Sequence, residues 1–354
     1  MSGGVDSSVA AYLLKKQGYD CIGVTMKLYA DETIGIKKTN TCCSMDDVED
    51  ARSAAVRIGI SYYVFNYKDD FEQKVIRRFV SCYESGATPN PCIDCNRFMK
   101  FDLLYRRAQE LGCDFVATGH YARIGQDPDS GRYLLKRGLD PKKDQSYVLY
   151  ALTQEQLAHT LFPLGGLTKD EVRGIAREQG FLNAGKADSQ DICFVPDGDY
   201  AAFLRRYTGK DYPEGDFVDC EGHVLGRHKG IVHYTIGQRR GLGIAAAEPL
   251  YVTGIDIEKN QVILGTAAQQ RTVCFTADEL NLIAAAKLTV PADCAVSVRY
   301  RQMPQPARVE QVSAAEARIT LKEPQRGVAP GLAAVFYDGE CVIGGATIRK
   351  IFTQ

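Results

Sequence analysis

Three short stretches hold residue types that do chemistry. The first is Ser2-Gly3-Gly4-Val5-Asp6-Ser7-Ser8. Two glycines let a backbone approach a ligand closely, and serine hydroxyls with the amides of a following helix would face an anion. The spacing is not that of the G-x-x-x-x-G-K-[ST] phosphate loop, and the plain alternative is a turn capping an ordinary helix. The second, Thr88-Pro89-Asn90-Pro91-Cys92-Ile93-Asp94-Cys95-Asn96, is a proline-punctuated loop ahead of a helix, with cysteines in C-x-x-C spacing. Cys95 falls close to a predicted helix N-terminus, where the macrodipole favours thiolate. That spacing serves redox, zinc and iron–sulfur roles alike. Zinc takes four ligands as a rule, whereas no second C-x-x-C exists and His120 is the only histidine in the neighbouring segments. The third is Asp188-Ser189-Gln190-Asp191-Ile192-Cys193-Phe194, a further cysteine in a polar loop.

These stretches must be positioned by an α/β scaffold. Apolar spacing predicts helices over 7–16, 45–59, 69–83 and 98–111, and strands over 21–26, 62–65 and 114–118. Such alternation gives a parallel sheet covered on both faces, with ligands beyond the carboxyl ends of the strands. The glycine loop should follow a strand of about 5–6 residues. Only Met1 precedes it, which reads as a misplaced start or a truncated product whose loop lacks its anchor. Residues 150–205 read as a mixed helical connector, and from 215 to 354 short β segments with Gly, Pro and Asp turns predict a small barrel or sandwich.

At 354 residues the chain has room for two or three domains. No apolar run approaches the ~18 residues of a membrane span, and no signal peptide opens the chain, so a cytoplasmic location is expected rather than a membrane or secreted one. A net charge of −1 excludes a uniformly basic nucleic-acid binder but not a local patch. The twelve cysteines are spread too widely for a secreted disulfide scaffold. Between 223 and 240 the chain carries Arg227, Lys229, Arg239, Arg240 and three of its five histidines, with no acid. That segregation suits a surface that meets phosphate, or a solvated hairpin face. Arg299, Tyr300 and Arg301 form a second basic-aromatic cluster that could clamp RNA.

The first heptapeptide resembles the SGGxDS loop of the PP-loop ATP pyrophosphatases, which activate a carbonyl oxygen by adenylation. Together, SGGVDSS, TPNPCIDCNRFMKFDLL, ATGHYAR, KKDQSYVLYAL, DSQDICFV and HYTIGQRRGLGI resemble the tRNA-specific 2-thiouridylases, the MnmA family, in order and spacing over nearly the whole chain. The resemblance implies a PP-loop catalytic domain over 1–200, including a helical connector at about 150–185, a central tRNA-binding domain over 201–267 and a C-terminal β-barrel over 268–354. It implies ATP, with Mg2+, bound by Ser2, Gly3, Gly4, Val5, Asp6 and Ser7, with Met26 and Gly119 beside them. Cys95 would be nucleophile or disulfide partner, and Cys193 the persulfide carrier. Asn90, Pro91 and Cys92 would border the target base. His120, Lys143, Asp144, Gln145, Arg299 and Tyr300 would contact tRNA. A sulfur-relay protein or cysteine desulfurase would supply sulfur.

Two positions depart from the family. Cys92 stands where many members have Asp, so Cys92, Cys95 and Cys193 could ligate a [4Fe–4S] cluster, and the sequence leaves relay and cluster both open. Leu332 stands where the family usually has Gln, removing one expected tRNA contact. Other PP-loop ligases would not need the cysteine pair. A non-enzymatic iron–sulfur or RNA-binding module is the reading that a truncated start would favour.

Overall fold

The structure, a computed structural model, describes residues 1–29, 45–188 and 192–353. Ser189, Gln190 and Asp191 of the third motif lie outside them. By its contacts the chain divides into one unit of Met1–Ile76, Cys92–Asp199 and Glu340–Val342, and a second of Arg77–Pro91, Tyr200–Gly339 and Ile343–Gln354.

In the first unit the glycine loop runs directly into helix α1 (Val5–Lys16). Two basic residues, Lys15 and Lys16, close that helix, and Gly18, at φ 92°, takes the left-handed turn beyond it. Strand β1 (Ile22–Lys27) pairs in parallel with β2 (Ser61–Asn66), Ile22 opposite Ser61, and helix α2 (Met45–Ile58) lies between them in sequence. Strand β3 (Val116–Ala117) is shorter than the predicted 114–118 and pairs in parallel with Thr160–Leu161. The parallel strands thus form two separate pairs. Met1 lies along β1: its amino group donates to the Val24 carbonyl, and Thr25 Oγ1 donates to its carbonyl at 2.5 Å.

Helix α3 (Lys169–Glu178) opens with a capping box in which the Thr168 hydroxyl accepts from the Glu171 amide while the Glu171 side chain reaches back to Thr168. One face of α3, Val172 and Ala176, meets Val5, Val9 and Ala10 of α1 together with Ala54, Tyr121, Leu164 and Phe181. The start of α1, and with it the glycine loop, is therefore fixed to the unit's core. The C-x-x-C motif lies in a helical run made of Pro91–Asp94, Cys95–Leu103 and Leu104–Glu110, whose middle section has widened turns. Such turns recur at functional sites.

The second unit holds a four-stranded sheet, Val224–His228, Gly215–Val218, Gln261–Gly265 and Tyr251–Asp256 in spatial order, and a barrel. The six barrel strands run Thr272–Leu282, Ala317–Gln325, Gln305–Gln311, Ala292–Ser297, Ala333–Asp338 and Cys341–Thr353, and the last pairs back with the first. Burial alternates along Gln305–Gln311 and Ala317–Gln325, as strands with one face inward require. Leu332 packs against the cores of both barrel and sheet, an apolar duty that accounts for its type. Among the described residues no helix is long and apolar enough to cross a membrane.

Candidate active site

The glycine loop is held open by backbone geometry. Gly3 adopts φ 70°, and a side chain there would overlap the Asp47 carbonyl. Gly4 caps α1 in extended conformation without a side-chain cap of its own, and the first-turn amides of such a helix suit an anion. Ser7 Oγ accepts from the Ser2 amide at 3.0 Å and donates to the Gly4 carbonyl at 3.0 Å. Asn183, buried, donates through Nδ2 to the Gly3 carbonyl at 2.9 Å and to Ser8 Oγ at 3.0 Å. Gly119 presses on the same loop: a methyl group there would stand 2.8 Å from the Asp6 carbonyl carbon and 2.9 Å from the Ser7 nitrogen. Met26, half-buried on β1, lies opposite Phe65.

Asp6 does not face an anion bare. Its Oδ1 accepts from the Tyr121 hydroxyl at 2.8 Å and from Lys169 Nζ at 2.7 Å. Burial, and then the Asp6 carboxylate, push the Tyr121 hydroxyl upward in pKa, so it stays a donor. Lys169 also binds Asp188 Oδ1 at 2.8 Å, Lys143 Nζ binds Asp188 Oδ2 at 2.5 Å, and Arg173 stands at 3.8 Å. Burial works against ionised Asp188, but hydrogen bonds from Lys143 and Lys169 outweigh it and hold the carboxyl below its usual range. A metal ion on the Asp6 carboxylate would face the Lys169 ammonium. Asp6 therefore fits a role in orienting the loop.

The sulfur residues are anchored separately. Tyr29 donates to the Cys193 carbonyl at 2.9 Å, and Phe194 packs edge-on against Phe71 at 5.7 Å. Earlier in the sequence, Lys186 binds Asp47 at 2.6 Å and Asp50 at 2.8 Å on α2. Cys193 and Cys95 are half-buried, whereas Cys92 is exposed. A helical turn, Pro91–Asp94, precedes Cys95, so it is Cys92 that occupies the first turn, where the macrodipole acts, and Cys95 lies one turn further in. The neighbouring Asn96 is buried, donates to the Val148 carbonyl at 2.9 Å and accepts from Lys100 at 3.0 Å, which fixes the helix beside Cys95. Asn90 and Pro91 belong to the second unit by contact and border this helix in sequence.

Several expected RNA contacts are committed internally. His120 is only 8% exposed, between Phe101 and Phe162, with Nδ1 2.7 Å from Thr118 Oγ1. Burial, and then Lys100, hold its pKa well below the usual imidazole range, so the ring is neutral. Asp144 accepts from the Gly138 and Ser146 amides, each at 3.0 Å, and Gln145 accepts from the Tyr121 amide at 3.0 Å. In the second unit Arg227 pairs with Asp216 at 2.8 Å, His223 pairs with Asp219 at 3.0 Å, and His228 is buried. Arg239, Arg240 and Lys229 are exposed. Arg299 donates through Nε to the Gly327 carbonyl at 2.9 Å, and its guanidinium fills space that Gly237 and Gly327 leave open. Tyr300 is exposed, with the Arg301 guanidinium 5.4 Å over its ring.

A helix-terminal loop fit for phosphate, on an α/β unit followed by a small sheet and a closed barrel, defines a nucleotide-binding enzyme of the PP-loop class. Comparison narrows this. Residues 1–197 match the family model for the tRNA methyl transferase HUP domain, 201–266 that for the tRNA methyl transferase PRC-barrel domain, and 272–348 that for the aminomethyltransferase β-barrel domain. The chain is 49% identical over 350 residues to the tRNA-specific 2-thiouridylase MnmA of Clostridioides difficile strain 630, covering 99% of this chain and 97% of that protein. It is 48% identical over 349 residues to the protein of the same name from Clostridium acetobutylicum, covering 99% and 98%. This chain belongs to the MnmA family of tRNA-specific 2-thiouridylases, as its motifs led one to expect.

Proposed function

We propose that this protein uses ATP to replace the 2-oxygen of the wobble uridine of tRNA with sulfur carried on Cys193. Full-length membership of the 2-thiouridylase family carries this reading. The amide-lined start of α1, with half-buried Cys95 and Cys193 in the same unit, supports it. Oxygen on C2 leaves poorly and AMP leaves well, so the uracil 2-oxygen attacks the α-phosphorus of ATP and pyrophosphate departs. The terminal sulfur of a Cys193 persulfide then attacks C2, and AMP leaves with the oxygen. Cys95 thiolate attacks Cys193 Sγ, releasing the 2-thiouridine sulfur and leaving a Cys95–Cys193 disulfide for an external thiol to reduce. A sulfur-relay protein or cysteine desulfurase recharges Cys193.

Ser2 to Ser7, with Met26 and Gly119 around them, hold ATP, and Mg2+ is assigned to the nucleotide's own phosphates. The base leaves the anticodon stack and lies beside Asn90, Pro91 and Cys92. Lys143, held by Asp188, would meet RNA from that pair, while Asp144 and Gln145 brace the backbone. His120 acts from beneath, setting the loop that carries Gly119. Arg239, Arg240, Arg299 and Tyr300 meet the rest of the tRNA. Thiolates sharing a [4Fe–4S] cluster would share one setting, whereas Cys92 is exposed and the other two are not. The relay, which needs only those two, is therefore preferred. Incubating the enzyme with unmodified tRNA, ATP, cysteine and a desulfurase, then digesting the tRNA for nucleoside mass spectrometry, tests the reading: 2-thiouridine should appear only when ATP is present. Thiolation without ATP, or none under any sulfur supply, would overturn it.

A further inference from the structure

We propose that Lys169 is a positioning residue that ties the ATP half of the reaction to the sulfur half; this rests on the function proposed above. Its side chain is 8% exposed, an uncommon setting for an ammonium, which must be paired when water is withheld. Both partners belong to motifs. Asp6 lies within the glycine loop, and Asp188 opens the segment that leads to Cys193. One buried charge thus grips a residue from each half.

Lys169 is itself rigidly placed. It is the first residue of α3, directly after the Thr168 cap, its amide donates to Asp140 Oδ2 at 3.1 Å, and its Nζ stands 5.8 Å from the centre of the Tyr121 ring. The two carboxylates are not equally dependent on it. Asp188 keeps Lys143 and Arg173 when Lys169 is neutralised, whereas Asp6 keeps only the Tyr121 hydroxyl among the contacts described. Loss of the ammonium should therefore free Asp6, turn an unpaired negative charge toward arriving phosphates, and misplace the loop. Asp188, still held by Lys143 and Arg173, should move less.

The test compares Lys169→Gln and Lys169→Arg with wild type in tRNA-dependent pyrophosphate release and in persulfide loading of Cys193 by a desulfurase. For Lys169→Gln we expect kcat of pyrophosphate release to fall on the order of 100-fold, the scale of a small misplacement. KM for tRNA should hold, and loading should slow less. Lys169→Arg should recover most of kcat, and Asp6→Asn with Lys169→Gln should lose less than the product of the single effects. Wild-type kcat in a folded Lys169→Gln enzyme, or a loss confined to KM for tRNA, overturns the proposal. Should Lys169→Gln fail to fold, Lys169→Arg decides: retained kcat supports the role, and a folded enzyme without turnover contradicts it. If wild type itself releases no pyrophosphate with tRNA, it is the function reading that fails, and the two failures are distinct.

Discussion

Cys193, Gly119 and His120 each make one claim that a single substitution can check. Cys193→Ser removes the only proposed sulfur carrier while the neighbouring anchors, Tyr29 against the backbone carbonyl and Phe194 against Phe71, remain. Thiolation should fall to background with tRNA affinity unchanged; substantial 2-thiouridine from that variant would remove Cys193 from the mechanism. Gly119→Ala places a methyl 2.8 Å from the Asp6 carbonyl carbon, where rigid backbone cannot yield. Adenylation should drop on the order of 100-fold while persulfide loading of Cys193 persists. A variant that adenylates normally would show that the loop tolerates displacement. His120 is neutral when folded and titrates with its ordinary pKa of 6.5 when unfolded. The unfolded chain binds the extra proton below that pH, so this ring's contribution is full above 6.5 and is lost as pH falls through and below it. Denaturant melts at several pH values should show wild type losing stability toward acid more steeply than His120→Gln. Parallel pH profiles would place the imidazole in contact with water.

At the scale of elements, the basic stretch 223–240 resolves into parts with different work. Arg227 spends its charge on Asp216, His223 contacts Asp219 and His228 is buried, while Lys229, Arg239 and Arg240 are exposed, the last two on the loop after Tyr234. Reversing both charges should weaken all tRNAs alike and flatten the salt dependence of binding by about 2 in log–log slope, as counterion release requires. A change in preference among tRNAs at constant slope would mean that these arginines read bases. The glycine loop, the C-x-x-C run and the alternating barrel strands were legible in the sequence because each is written in local spacing. What pairs with Asp6 was not: Lys169 is 163 residues away, and nothing beside it in the chain marks a lysine that will be buried. The burial of His120 between Phe101 and Phe162 and the pairing of Arg227 with Asp216 were not legible either, since a partner contributed by another element leaves no local trace. The position of Cys95 was off by one helical turn because Pro91 starts the helix earlier than the apolar spacing suggests.

Across the whole molecule, the glycine loop, Cys95, Cys193 and Lys143 belong to one unit, and Arg239, Arg240, Arg299 and Tyr300 to the other. In the proposed reaction sulfur passes from Cys193 to an adenylated uridine without iron. The direct measurement is a single turnover. Enzyme stripped of iron, its Cys193 charged as persulfide, is mixed with unmodified tRNA and ATP in the absence of reductant, and RNA and protein are both read by mass spectrometry. We expect one 2-thiouridine per persulfide consumed, matching AMP and pyrophosphate, and a Cys95–Cys193 disulfide in the peptide map, with Cys92→Ala behaving like wild type. An inert iron-free enzyme that recovers only when iron and sulfide are restored, and that loses activity with Cys92→Ala, would contradict the account and assign the three cysteines to a cluster.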